Sequence, residues 1–227
     1  MDQTTLGELL SLTVEGGARV SARLLQPADA HACYVLAHGA GAGMEHPFMR
    51  AAARDLAALG VATLRYQFPY MERRSRRPDP PPLCHATVGA AVAEAAALAP
   101  GLPLFAGGRS FGGRMTSQAQ ALHPLPGVRG LAFLGFPLHP AGQVSVARAA
   151  HLSEVLIPML FVQGTRDALA ERTELEAVIK RLGSRATAYF VEGADHSFHV
   201  PAKSGRRDDE VRQELLRAVA AWMESHR

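Results

Sequence analysis

Cysteine is scarce in this chain, which has only Cys33 and Cys84 among its 227 residues. Two cysteines this far apart match neither the paired ligand spacing of a metal site nor the disulfide framework of a small secreted domain. Cys33 lies in an apolar run and Cys84 at a predicted helix start, so both are interpreted as buried or incidental thiols. We therefore expect no metal site, and no cofactor is implied.

Long hydrophobic runs are also missing. No apolar segment approaches the roughly 18 residues that a membrane span needs, so no membrane association is expected. Residues 1–17 include acidic side chains and lack a basic region followed by a long apolar run. That pattern does not predict a signal peptide, and the expected location is the cytoplasm.

A large charge excess is absent too, because 24 Lys and Arg against 21 Asp and Glu leave a net charge of +3. Much of this excess lies in one run that contains Arg73, Arg74, Arg76 and Arg77. So small and local an excess does not predict a nucleic-acid partner. The interpretation we favour is a solvated loop stiffened by proline, and the alternative is a loop that attracts an anionic substrate.

What the sequence does contain is the pattern of one globular α/β domain over residues 1–227, with 48% hydrophobic and 20% charged residues. A β-hairpin is predicted at about residues 9–25, where two strand-like runs flank Glu15-Gly16-Gly17. After residue 32 strands alternate with helices, which predicts a mostly parallel sheet with helices on both faces. The later strands are predicted at residues 33–37, 61–66, 102–106, 128–136, 158–162 and 186–191.

The segment Leu104–Ser117 contains the motif G-x-S-x-G, from Gly108 through Ser110 to Gly112. A predicted strand precedes the motif and a helix-compatible run follows it. A serine at such a strand-to-helix turn has an exposed hydroxyl, and the glycines permit the strained backbone. Ser110 is therefore the predicted nucleophile, and an ordinary glycine-rich turn is the alternative.

A serine nucleophile needs a base and an acid that orients the base, and Asp167 and His196 supply both after later strands. Sites of parallel sheets form at the carboxyl ends of the strands, where all three residues are predicted. Asp167 has an alternative role as a helix cap, and Asp195 is a rival acid next to His196. The competing histidines near strand ends or in loops are His38, His46, His139, His151 and His199.

Acyl transfer also needs N–H donors for the oxyanion. We expect one from Phe111, directly after the nucleophile, and the other from the glycine-rich loop after the strand at 33–37. Ala40 is the first choice in that loop and Gly41 the second, while the side chain of His38 is expected to be structural. The loop lacks the Lys-Ser/Thr ending of a phosphate-binding loop, which argues against nucleotide binding.

The substrate pocket is the least specified part of the prediction. Phe68 and Tyr70 are candidates for apolar walls, although core packing explains them equally well. Arg73 and Arg74 belong to the loop predicted at residues 67–82, which follows a strand and should overhang the site. His139, after another strand, is a candidate for the rim.

Several segments together resemble the α/β-hydrolase superfamily, and more narrowly its small dienelactone-hydrolase-like proteins of the KANL/Tex type. The matching segments are LAHGAGAGMEHPFM, LRYQFPYMERRSRRPDPPP, FAGGRSFGGRM, LFVQGTRD and GADHSF. The resemblance implies a hydrolase fold without a large cap domain and Ser110, Asp167 and His196 as the triad. Dienelactone hydrolases proper have a cysteine nucleophile where this chain has serine, which argues against dienelactone as the substrate.

The leading hypothesis is a serine hydrolase whose partner is a small acyl substrate, a carboxylic ester or a thioester. A second hypothesis is a hydrolase-like fold that serves as a binding or assembly module. A third is an acyltransferase or peptidase with the same triad, which the sequence does not separate from an esterase.

Overall fold

A single eight-stranded sheet runs through the computed structural model, which describes residues 7–75 and 77–227. Arg76 of the basic run therefore lies outside the described residues. The strand order is β1-β2-β4-β3-β5-β6-β7-β8, with β1–β2 and β2–β4 antiparallel and every other pair parallel. The strands are β1 Glu8–Thr13, β2 Arg19–Leu25, β3 Ala32–Ala37, β4 Val61–Tyr66, β5 Leu104–Arg109, β6 Val128–Leu134, β7 Met159–Gly164 and β8 Ala186–Val191.

Helices cover both faces of this sheet, so the central strands are buried on both sides as parallel strands require. The α-helices are α1 Pro47–Ala57, α2 Pro69–Glu72, α3 Pro81–Leu98, α4 Phe111–Leu122, α5 Arg172–Leu182 and α6 Asp208–Ser225. One face of the sheet packs against α1 and α6, and the other packs against α3, α4, α5 and a 3-10 helix at Ala147–Glu154. This arrangement confirms the predicted α/β-hydrolase fold without a large cap, and the predicted hairpin is the β1–β2 pair.

Strand β5 ends three residues later than the sequence predicts. Gly107 and Gly108 continue the ladder, although glycine disfavours strands. A Cβ on Gly107 would lie 1.9 Å from the carbonyl oxygen of Ala132, and one on Gly108 would lie 2.3 Å from that of Ala37. Glycine is required here because neighbouring backbones approach too closely for any side chain.

The loop predicted at residues 67–82 contains regular structure that the sequence analysis missed. The short helix α2 begins at Pro69, and α3 begins at Pro81, inside the predicted loop. Proline is favoured at the first helical position, where its missing N–H is not needed. Asp79 holds this segment in place, because its Oδ2 accepts from the N–H of Tyr70 at 2.7 Å.

The parallel strands place their carboxyl ends at one edge of the sheet, and the candidate residues lie in loops there. These loops follow β3, β4, β5, β6, β7 and β8. Among the described residues, no helix combines the length and apolar character that crossing a bilayer demands.

Candidate active site

Ser110 occupies the sharp turn between β5 and α4. Its backbone has φ 49° and ψ −114°, a sparsely populated conformation for a residue other than glycine. The turn is held by a hydrogen bond from the N–H of Ser110 to the carbonyl oxygen of Leu134, at 3.0 Å. Gly112 permits the close approach of α4, because a Cβ there would lie 2.6 Å from the carbonyl oxygen of His38. This is the geometry of a nucleophile elbow.

The structure brings Ser110, His196 and Asp167 into one hydrogen-bonded chain. Nε2 of His196 lies 2.8 Å from Oγ of Ser110, and its Nδ1 lies 2.7 Å from Oδ2 of Asp167. Asp167 is 4% exposed, whereas His196 remains partly open to solvent. With a proton on Nδ1, His196 donates to the carboxylate and offers Nε2 as the acceptor for the serine hydroxyl.

Gln163 is a supporting residue that the sequence analysis missed. Its Oε1 accepts from the N–H of Phe136 at 2.8 Å, which fixes the orientation of the side-chain amide. Its Nε2 then donates to Oδ2 of Asp167, and the N–H of Leu169 donates to Oδ1 at 2.8 Å. Both carboxylate oxygens are thus held in place. The sequence signal that points to Gln163 is its polar side chain in the otherwise apolar strand β7.

Asp195, the rival acid, organises the turn that carries His196. Its Oδ1 accepts from the N–H groups of Ser197 at 2.7 Å and His199 at 3.0 Å. The neighbouring Phe198 has φ 61°, so this turn is tight. The side chain of His199 points to Asp208, whose Oδ2 lies 2.8 Å from its Nδ1. Asp195 therefore supports the loop, while Asp167 contacts the imidazole of His196.

The loop after β3 lies against Ser110, since a Cβ on Gly39 would be 3.9 Å from that of Ser110. The N–H of Gly41 donates to the hydroxyl of Tyr70 at 3.1 Å and is thereby occupied. No hydrogen bond between described residues uses the N–H of Ala40. Phe111 is the first residue of α4, where N–H groups have no partner within the helix. Ala40 and Phe111 remain the preferred oxyanion donors.

His38 is buried and ties two loops of the site together. Its Nδ1 donates to the carbonyl oxygen of Gly39 at 2.7 Å, and its Nε2 accepts from the N–H of Phe68 at 3.1 Å. Only neutral imidazole with the proton on Nδ1 makes both bonds. Burial lowers the pKa of His38 to about 4, although the hydrogen bond to the carbonyl oxygen of Gly39 acts in the opposite direction and raises it.

Acid is expected to destabilise the fold through His38. From pH 6.5 down to about 4, the unfolded chain binds a proton that folded His38 excludes, so stability falls as the pH falls. The full loss from this one residue approaches about 3 kcal/mol. Urea unfolding at pH 7, 6 and 5 measures the effect. His38→Gln should reduce the pH dependence, and the part that remains includes His151, whose pKa burial also lowers to about 4. A variant with the wild-type slope would contradict the assignment.

Three residues predicted to line or rim the pocket are instead buried supports. Phe68 is 0% exposed and packs edge-on against His38, with ring centroids 5.0 Å apart. Tyr70 is also 0% exposed and holds the N–H of Gly41. His139 is 1% exposed, and its Nε2 hydrogen-bonds Glu171. For Phe68 and Tyr70 this is the core-packing alternative that the sequence left open.

The loop arginines that the structure describes, Arg73, Arg74 and Arg77, are exposed, but they differ in their contacts. Arg73 forms an ion pair with Asp79, which also holds the N–H of Tyr70. Arg74 has φ 55° and an exposed side chain. The charge of Arg73 is therefore already compensated, which favours the solvated-loop interpretation for that residue.

A second serine–histidine contact, between Ser117 and His151, lacks the features of a catalytic pair. Oγ of Ser117 lies 2.8 Å from Nε2 of His151 and also donates to the carbonyl oxygen of Arg114 at 3.0 Å. Ser117 is fully buried within α4. Among the described residues, His151 has no carboxylate partner that would orient it as a base.

Comparison with known proteins finds a matching family model and solved structures that share the fold. The family model described as an alpha/beta hydrolase domain matches residues 30–224. A serine hydrolase without a lid from Xanthomonas campestris is 20% identical, with TM-score 0.72 over 95% of this chain and 94% of that one. A dienelactone hydrolase from Anabaena variabilis is 18% identical, with TM-score 0.74 over 97% and 99%. Est1E from Butyrivibrio proteoclasticus is 17% identical, with TM-score 0.65 over 93% and 99%.

Proposed function

We propose that this chain, which belongs to the α/β hydrolase domain family, is a serine hydrolase of small carboxylic esters or thioesters. The observation that carries the proposal is the hydrogen-bonded chain from Ser110 through His196 to Asp167. It stands at the carboxyl edge of the sheet, on a strained turn that exposes the serine hydroxyl. The family and the fold indicate a hydrolase, and the choice of esters or thioesters as substrates is the part that we propose.

In the proposed reaction, Oγ of Ser110 attacks the carbonyl carbon while Nε2 of His196 takes the hydroxyl proton. Asp167 keeps the imidazole oriented and stabilises its positive charge. The N–H groups of Phe111 and Ala40 would donate to the oxyanion of the tetrahedral intermediate. His196 then protonates the leaving group, and water attacks the acyl-enzyme with His196 as the base.

A fluorophosphonate probe tests this proposal because it reacts with an activated serine and needs no knowledge of the substrate. We expect the wild-type chain to be labelled and Ser110→Ala to show no labelling, with both proteins folded by circular dichroism. A folded wild-type chain that resists labelling would favour a binding or assembly module. A panel of esters, thioesters, amides and acyl acceptors then separates the esterase from an acyltransferase or peptidase.

A further inference from the structure

Arg114 lies one helical turn beyond Ser110 and carries a charge without a carboxylate partner. Its N–H donates to the carbonyl oxygen of Ser110 at 3.1 Å, and its guanidinium lies 5.8 Å from the ring centroid of Phe111. Its Nε is buried and has no hydrogen-bond acceptor among the described residues. None of the ion pairs formed within residues 7–75 and 77–227 includes it.

The surroundings of Arg114 are basic rather than acidic. Burial lowers the pKa of Arg114, and the positive charge of Arg148 on the 3-10 helix lowers it further. Burial and then Arg114 also lower the pKa of His151, to about 4, so this histidine is neutral at pH 7. His85 on α3 is hydrogen-bonded, with its Nε2 3.2 Å from Oε1 of Gln118. The positive charges of Arg114 and Arg148 thus repel each other, and His85 and His151, whose pKa values burial lowers, are neutral at pH 7.

Two other arginines near the site, Arg109 and Arg73, have a carboxylate whose charge favours their own. The guanidinium of Arg109 lies 4.8 Å from the ring centroid of Phe48, and the charge of Asp195 raises its pKa against the effect of burial. Arg73 forms an ion pair with Asp79. Nε of Arg109 and Nε of Arg114 are both buried without an acceptor among the described residues, which is costly. Arg114 differs because, after burial, the charge with the largest effect on its pKa belongs to another arginine, Arg148, rather than to a carboxylate.

We propose that Arg114 binds an anionic group on the substrate, so that the enzyme selects esters that carry a carboxylate or a phosphate. This inference rests on the proposed hydrolase function. A guanidinium presents paired N–H donors that match both kinds of anion. Arg114 lies one turn from Ser110, because its N–H donates to the carbonyl oxygen of Ser110, and its guanidinium is 5.8 Å from the ring centroid of Phe111, a preferred oxyanion donor.

Matched ester pairs test the selection. The first pair is the p-nitrophenyl monoester of glutaric acid and p-nitrophenyl valerate. The second and third compare phenyl valerate with valerate esters of 4-hydroxybenzoate and of 4-hydroxyphenyl phosphate. These arms separate an anion on the acyl side from one on the leaving group, and a carboxylate from a phosphate. The measured quantity is the ratio of kcat/KM for the charged ester to that for its neutral partner.

We expect Arg114→Gln to lower this ratio by about tenfold or more for at least one pair, because a charge-assisted hydrogen bond is lost. Arg114→Lys, which keeps the charge, should retain part of the selectivity. Arg129→Gln is the control for net charge, because Arg129 is exposed at the opposite end of the sheet, where β6 begins. Its ratio should match that of the wild type.

An Arg114→Gln ratio equal to the wild-type ratio for all three pairs would overturn the proposal. An equal fall in Arg129→Gln would also overturn it, since the effect would then come from overall charge. Failure of the hydrolase function itself has a different signature: no turnover of neutral esters and no fluorophosphonate labelling in the wild-type protein. Turnover of neutral esters without selection by Arg114 therefore refutes only the anion site.

Discussion

Asp167→Asn is expected to lower kcat by about 10⁴-fold while the protein remains folded. The carboxylate accepts three hydrogen bonds, from Gln163, Leu169 and His196. An asparagine has one acceptor oxygen and one donor group, so its NH₂ must face another donor or turn the imidazole to the wrong tautomer. Steady-state kinetics with a p-nitrophenyl ester, together with the unfolding midpoint, measures both parts of this expectation.

Asp195→Asn is the matched control, because it makes the same change one residue before His196. Asparagine keeps the Oδ1 acceptor that the N–H groups of Ser197 and His199 use. The loss of kcat should therefore stay below about tenfold, as for a residue that only supports a loop. If Asp195→Asn lost as much activity as Asp167→Asn, the assignment of Asp167 as the acid would be wrong.

Gly108→Ala is expected to reduce the free energy of unfolding by about 3 kcal/mol or more, with loss of turnover. A Cβ at this position would lie 2.3 Å from the carbonyl oxygen of Ala37, and φ is 149°. Either β3 and β5 separate or the turn that carries Ser110 changes shape. Urea denaturation measures the loss of stability, and fluorophosphonate labelling reports on the turn.

Gly101→Ala separates backbone strain from collision. Gly101 has φ 85°, and a Cβ there would meet nothing within 4 Å. Gly101→Ala should lower the free energy of unfolding by only about 1 to 2 kcal/mol, the penalty of a left-handed conformation for alanine. Equal destabilisation by the two substitutions would show that the contact with Ala37 contributes little.

The sequence predicted those parts of the site whose position follows from connectivity. Alternating strands and helices predict a parallel sheet, and parallel strands put the loops after β5, β7 and β8 at the same edge. Ser110, Asp167 and His196 lie in those loops, so their proximity did not require knowledge of side-chain packing. The glycines around Ser110 indicated the sharp turn because few other residues tolerate its backbone.

The contacts of the buried supports Phe68, Tyr70 and His139 could not be predicted from the sequence, because each contact joins segments that are distant in the chain. For Phe68 and Tyr70 the sequence left a pocket wall and core packing equally open, and the structure packs both rings against His38. His139 meets Glu171 only because the loops after β6 and β7 lie side by side. Such pairings depend on how neighbouring loops meet, which no local pattern encodes.

By itself, then, the sequence determined the sheet, the serine turn and the order of serine, acid and base, because backbone periodicity and strand direction are local properties. Only the tertiary structure decided which N–H groups stay available near Ser110 and that Gln163 holds Asp167. It also left Arg114 one turn from Ser110 without a carboxylate partner in the described part of the chain. Hydrogen-bond partners and uncompensated charges are set by the distances between segments far apart in the chain, and those distances exist only in the folded protein.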